Sequence, residues 1–216
     1  MGNAGVKGVM FDMDNTLLRS RIDFAAMKRS IFRALVERRV LAADLPLDNH
    51  TSSTLIALAL EKGIPGELHR ELLAVAARYE LDGMRDAGPE PGAIELLSAL
   101  QSRGIALVVV TNNSQAAAEE ALLRTGMDEF VEEVIGRERM ASLKPSPSGY
   151  REAQRRCGRI PRERWLSVGD SWIDGIASQD AGIPFVGYGI AKEELAARGV
   201  RPIGTIRHLR ELLRYI

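Results

Sequence analysis

The sequence holds a single cysteine, Cys157, so no disulfide can form within the chain, and that count fits a reducing, cytoplasmic setting rather than a disulfide-stapled secreted one. Charge of one sign is also missing. Lys and Arg total 29 against 29 for Asp and Glu, so no net field favours a nucleic acid or an anionic membrane surface, and any phosphate binding must come from local clusters. The apolar stretch near the start, Val6 to Phe11, stops at Asp12 and is too short for a signal-peptide core or a membrane span. Met1-Gly2 followed by Val6 does not place Ser or Thr where myristoylation needs it. Three histidines, His50, His69 and His208, are scattered without catalytic or metal-ligand spacing and read as surface or capping residues. Repeats and low-complexity runs are absent. With 45% hydrophobic and 27% charged residues in 216, the chain has the make-up of a folded, water-soluble protein large enough for a core domain plus a smaller inserted one.

What is present alternates. Val6 to Phe11 reads as a buried strand that ends in Asp12-Met13-Asp14-Asn15, carboxylates delivered at a strand tip. Next comes an all-helical segment. Phe24, Met27, Ile31 and Leu35 form one amphipathic stripe, Thr51 to Lys62 predicts a second helix ended by Gly63 and Pro65, and Leu68, Leu72, Val75 and Tyr79 form a third stripe. After Pro89 and Pro91 the strand–loop–helix rhythm resumes, with strands expected at Ile105 to Val110, Val131 to Ile135, Trp165 to Val168 and Pro184 to Val186, a loop at Gly187 to Lys192, and a last short strand and helix through Ile206 to Tyr215. Such alternation implies a doubly wound, Rossmann-like α/β core with a parallel sheet, in which ligands bind at the C-terminal ends of the strands. The expected division is residues 1–18 and 89–216 for the core, with residues 19–88 inserted as a helical cap.

Polar groups follow the predicted strand ends in order: Asp12 and Asp14, then Thr111-Asn112, then Lys144-Pro145, then Asp170 and Asp174. In a doubly wound sheet these tips converge. Two carboxylates one residue apart can divide the work of attack and proton transfer. A third at Asp170 makes an all-oxygen donor set, which suits Mg²⁺, because no His or Cys cluster offers a zinc site.

The stretches Asp12-Met13-Asp14-Asn15-Thr16-Leu17, Val110-Thr111-Asn112, Lys144-Pro145 and Gly169-Asp170-Ser171-Trp172-Ile173-Asp174 resemble the four ordered motifs of the haloacid dehalogenase superfamily. Pro91-Gly92 and Lys144-Pro145-Ser146-Pro147 resemble its phosphoglycolate phosphatase-like branch, which carries a helical cap after the first motif. The resemblance implies that Asp12 is the nucleophile and Asp14 the proton shuttle. It further implies that Thr111 and the Asn112 amide hold phosphate oxygens, that Lys144 neutralises the transferring group, and that Asp12, the Asp14 carbonyl, Asp170 and Asp174 hold Mg²⁺ directly or through water. Asn15 stands where many relatives carry Gly, and Asn tolerates left-handed backbone better than other side chains. Arg19 and Arg21, leaving the first motif, are candidates for contact with an anionic substrate. The implied substrate is a small phosphorylated metabolite such as phosphoglycolate, a sugar phosphate or a nucleoside monophosphate.

Three rivals accompany that reading. A phosphosugar mutase would share the phospho-aspartate chemistry and differ in its product. A dehalogenase attacks carbon and does not need Asp14. A non-catalytic phospholigand sensor would not need a nucleophile at all.

Overall fold

The computed structural model describes residues 5–216; the myristoylation reading at Met1-Gly2 lies outside them. Six strands, β1 (Gly8–Phe11), β4 (Ala106–Val110), β5 (Glu133–Ile135), β6 (Trp165–Gly169), β7 (Phe185–Tyr188) and β8 (Gly204–Ile206), form one sheet in the order β5-β4-β1-β6-β7-β8. Every pairing in it is parallel. The sheet is built from runs that are apolar on both faces, as covered parallel strands require. All of β1, β4 and β6 is buried. Helices α4 (Ala93–Gln101), α5 (Gln115–Thr125), α6 (Ser148–Arg156), α7 (Trp172–Asp180) and α8 (Lys192–Ala197) connect the strands. Strand order reverses around β1, which pairs with β4 on one side and β6 on the other. That reversal leaves a crevice at the C-terminal edge.

Two short strands went unread in the sequence, β2 (Leu18–Arg19) and β3 (Gly88–Pro89), which pair antiparallel. Two residues are too few to show a hydrophobic period. They bring the chain's exit from the core and its return into one ladder, and residue contacts accordingly group the chain through Ser20 with Ala87–Ile216 as one unit and Arg21–Asp86 as another. Further along, Gly187 and Tyr188, expected in a loop, belong to β7, where Gly187 pairs with both Gly169 and Thr205. The expected C-terminal helix is a 3₁₀ helix over Leu209–Arg214.

The unit Arg21–Asp86 contains α1 (Phe24–Glu37), α2 (Ser52–Glu61) and α3 (Gly66–Met84). Asp23 caps α1 by accepting the Ala26 N–H at 2.8 Å, and Thr51 and Thr54 exchange capping bonds at the start of α2. Met27, Ile31 and Leu35 are buried as the stripe requires, whereas Phe24 at the first turn of α1 is 43% exposed. On α3 the buried face runs through Leu68, Leu72, Ala76, Glu80 and Gly83, and the bare backbone of Gly83 lets that of Ile22 approach closely, since a Cβ there would collide with the Ile22 Cα. No helix among the described residues is long and apolar enough to cross a membrane.

Candidate active site

The end of β1 hands the chain directly to Asp12, 7% exposed, and Asp14, 8% exposed. A tight turn holds the pair. The N–H groups of Leu17 and Leu18 both donate to the Met13 carbonyl at 2.9 Å, and that of Asn15 to the Leu18 carbonyl at 2.7 Å. Asn15 occupies the left-handed region with φ 55°, the conformation for which its short amide is suited.

Lys144 reaches this turn from the loop after β5. Among the described residues it is the one lysine in the buried class, and its ammonium has a fixed acceptor for each of its three hydrogens. Nζ donates to Asp12 Oδ1 at 2.5 Å, to Asp174 Oδ1 at 2.6 Å and to the Val110 carbonyl at 2.8 Å. Burial alone would pull its pKa down, but Asp12 and Asp174 outweigh that and hold it well above the ordinary lysine value. Lys144 is therefore a fixed positive charge.

Asp174 does two jobs. While Oδ1 accepts from Lys144, Oδ2 accepts the Ser171 N–H at 3.1 Å at the start of α7, so helix capping and charge placement come from one side chain. Its approach requires a bare backbone at the end of β6, because a Cβ at Gly169 would lie 2.6 Å from the Asp174 carboxyl. Tyr150 packs in the core below; burial, with Asp174 nearby, pushes its phenol up and keeps it neutral.

Carboxylate oxygens of Asp12, Asp170 and Asp174 all lie within 4.8 Å of one another. Burial, then Asp12 and Asp174, push Asp170 up to about 8; burial and Asp12 push Asp174 up to about 6 against the opposing pull of Lys144. One ammonium does not balance this concentration of negative charge. A hard divalent cation would, and an all-oxygen donor set is what Mg²⁺ takes, so these residues fit the metal that the motif order implied. Asp14 stands apart from the three: its Oδ2 accepts from Asn113 Nδ2 at 2.7 Å.

The loop after β4 lies opposite. Thr111 is buried, with Oγ1 accepting the Asn113 N–H at 3.2 Å. The Asn112 side chain pairs with the backbone of Lys144 in both directions, its Nδ2 donating to the Lys144 carbonyl at 3.1 Å and its Oδ1 accepting the Lys144 N–H at 2.8 Å. The structure thus brings Asp12, Asp14, Thr111, Asn112, Lys144, Asp170 and Asp174 to one edge of the sheet. Two contributions escaped the sequence reading: the Asn113 side chain on Asp14 and the Asn112 side chain on Lys144. Their signal was the Thr-Asn-Asn run itself, in which only the first two residues matched the motif.

Arg19, on β2, is 64% exposed and lies 3.4 Å from Glu90. Glu90 in turn accepts the Tyr188 hydroxyl at 2.8 Å, a bond that with burial pushes that phenol up to about 12. Arg21 belongs to the helical unit, 3.9 Å from Asp86. Trp172 packs with Phe185, Leu195 and Val200, its ring 5.4 Å from the Arg198 guanidinium.

Residues 9–188 match the family described as haloacid dehalogenase-like hydrolase. The chain is 30% identical to the phosphoglycolate phosphatase of Rhodospirillum rubrum, covering 89% of this chain and 84% of that one. To the phosphoglycolate phosphatase of Neisseria gonorrhoeae it is also 30% identical, over 96% and 93% of the two chains. Among solved structures, a hydrolase from Pseudomonas syringae superposes with a TM-score of 0.73 at 20% identity, covering 97% of each chain. At that identity the likeness is one of fold.

Proposed function

The chain belongs to the haloacid dehalogenase-like hydrolase family, and from that premise we propose that it is a phosphatase acting on a small phosphorylated metabolite through an aspartyl-phosphate intermediate. One observation carries the reading. Two buried carboxylates at the tip of β1 stand beside a buried ammonium that one of them shares with Asp174, an arrangement with a nucleophile, a proton carrier and a charge for the group transferred between them.

In this mechanism an Asp12 carboxylate oxygen forms a bond to phosphorus as the bond from phosphorus to the ester oxygen breaks, and Asp14 gives that oxygen its proton. Asp14, now ionised, takes a proton from water as the water oxygen attacks phosphorus. The Asp12–phosphorus bond breaks, orthophosphate leaves, and both side chains return to their starting states. Lys144 neutralises charge on the phosphoryl oxygens and on Asp12 without changing its own protonation. Thr111 Oγ1 and the Asn112 N–H hold non-bridging oxygens, while Asn113 fixes the Asp14 carboxylate that must aim at the leaving group. Asp12, the Asp14 carbonyl and Asp170, with Asp174 in support, would hold Mg²⁺, which when bound would supply the positive charge that lets a phosphate dianion approach a carboxylate.

The named relatives suggest phosphoglycolate as the first ester to try, with Arg19 of the core unit proposed to recognise a second anionic group on the substrate. The reaction is assigned to the cytoplasm, in keeping with the single reduced Cys157. The test is phosphate release from phosphoglycolate, sugar phosphates, nucleoside monophosphates and pyrophosphate with Mg²⁺, comparing wild type with Asp12→Asn. Release by the wild type alone supports the reading. Equal release by the variant overturns the nucleophile, and a phosphoryl group that moves to a second hydroxyl without release makes the protein a mutase.

A further inference from the structure

Arg137 follows β5 and is buried, with its side chain 6% exposed. A guanidinium is costly to take out of water unless it is bonded, so its partners tell what its burial achieves. Nη1 donates to the Asn112 carbonyl at 3.3 Å, and the residue's own N–H donates to the Asn113 carbonyl at 2.9 Å. Both carbonyls belong to the loop that follows Thr111.

A trans peptide is planar, with its C=O and N–H on opposite sides. Fixing the Asn112 oxygen therefore fixes the direction of the Asn113 N–H, and fixing the Asn113 oxygen does the same for Ser114. A charged donor on a carbonyl also polarises the N–H at the far side of the same peptide. The Asn113 N–H points at Thr111 Oγ1, 3.2 Å away, so the fixed direction is toward the residue assigned to phosphate.

Neighbouring residues tighten the same grip. Glu138, 3.4 Å from Arg137 Nε, accepts the Gln115 N–H at 2.7 Å. The Gln115 side chain reaches back, accepting from the Gly136 N–H at 2.7 Å and donating to the Val134 carbonyl at 3.0 Å. The strands of chain run so close that a Cβ at Gly136 would lie 2.6 Å from the Gln115 Cα. From Asn112 the constraint passes to Lys144 through the two side-chain bonds to its backbone.

We propose that Arg137 is a positioning residue for phosphoryl transfer: it holds the Asn112 and Asn113 carbonyls, so that the Asn113 N–H stays on Thr111 Oγ1 and orients that hydroxyl, and through the Asn112 carboxamide it holds Lys144 in place. The inference rests on the phosphatase reading.

Arg137→Gln, Arg137→Lys and the control Arg139→Gln test it. Arg139 stands two residues on and ties the same turn to Glu133 and the Val134 carbonyl. The readouts are kcat, the Mg²⁺ activation constant, and the Kd of inorganic phosphate with Mg²⁺ by calorimetry. Arg137→Gln is expected to weaken phosphate binding and lower kcat by about 10- to 100-fold, with the Mg²⁺ constant within about threefold of wild type. Arg137→Lys should recover part of both, and Arg139→Gln should change neither by more than about twofold. The proposal is overturned if Arg137→Gln binds phosphate and turns over within about twofold of wild type, or if Arg139→Gln loses as much. Should Arg137→Gln not fold, Arg137→Lys decides: unchanged phosphate affinity overturns the clamp, a loss of about threefold or more supports it. A wild type that neither binds phosphate nor hydrolyses esters overturns the phosphatase reading together with this one. Activity in the wild type with unaltered Arg137 variants sinks the clamp alone.

Discussion

Two ion pairs in this protein have the same length and opposite surroundings. Lys144 and Asp174, in the core unit, meet at 2.6 Å with both side chains 2% exposed. Arg38 and Glu71, in the helical unit, also meet at 2.6 Å, but with side chains 40% and 48% exposed. Coulomb attraction at one distance differs several-fold between water and a protein interior. Solvent, not distance, therefore decides which pair matters. Elsewhere in the helical unit the ion pairs Arg21–Asp86 and Arg85–Asp82 likewise lie at the surface. The core unit has surface pairs too, such as Arg159–Glu132, but at the end of β1 it also buries Asp12 and Lys144 with fixed partners. Paired opposite charges thus stand solvated at the surface and desolvated at the candidate site.

The sharpest way to break that comparison is Asp12→Asn, which keeps shape and removes the charge proposed to attack phosphorus. Phosphate release should fall by at least about 10³-fold while the circular dichroism spectrum is unchanged. Activity near wild type would mean that the buried charges at β1 are structural after all.

Next in size is Lys144→Met, which leaves Asp12 and Asp174 facing each other without their shared cation. Loss of one partner from a buried pair costs about 3–5 kcal/mol, and loss of the charge proposed to meet the phosphoryl group should lower kcat by about 10²-fold or more. Urea unfolding in EDTA and steady-state kinetics read the two effects separately. A variant as stable as wild type would show that the carboxylates had simply taken up protons.

Mg²⁺ sharpens the comparison through pH. Asp170 is raised to about 8, above its value in an unfolded chain, so the folded metal-free protein binds the extra proton. Stability from that group is fully present below about pH 4 and is lost as pH rises toward 8. In EDTA the melting temperature should therefore carry a downward contribution between pH 5 and pH 8. Mg²⁺ should cancel it, adding about 2.7 kcal/mol when present at 100 times its Kd, and EDTA should abolish activity until Mg²⁺ is returned. A Mg²⁺ effect equal at both pH values would separate the metal from Asp170.

How much of this was legible beforehand follows from the same contrast. Fully apolar runs such as Ala106–Val110 announce a covered parallel strand, and carboxylates at the end of such a run announce a candidate site, as Asp12 and Asp170 do; Lys144 and Asp174 were proposed from the order of the motifs. Asn15 at φ 55° was legible for its backbone preference. Hidden from view were bonds between residues far apart in sequence, in which a side chain meets a backbone: Asn112 on Lys144, and Arg137 on Asn112. Periodicity reports which face is buried, and a polar side chain that is buried against a peptide has no period. In the helical unit the difficulty was of another kind. Val75 and Tyr79 fit a stripe with Leu68 and Leu72, but both are only half-buried, and the buried face of α3 passes instead through Ala76, Glu80 and Gly83, where the bare backbone of Gly83 meets that of Ile22.

The smallest effect is expected at Arg38. Its Nη2 donates to both Glu71 oxygens, at 2.8 and 2.6 Å, and links the end of α1 to α3 through short contacts that a distance criterion would rate as strong. Both side chains nevertheless keep much of their hydration, so the gain is screened and is set against the entropy of ordering two long chains. Arg38→Ala, Glu71→Ala and the double variant should give a coupling of about 0.2–1 kcal/mol in urea unfolding, smaller still in 1 M salt. Phosphate release should not change, since neither residue carries a step of the reaction. A coupling above about 2 kcal/mol, or one insensitive to salt, would place this surface pair on the same footing as Lys144–Asp174 and remove the distinction between the two units.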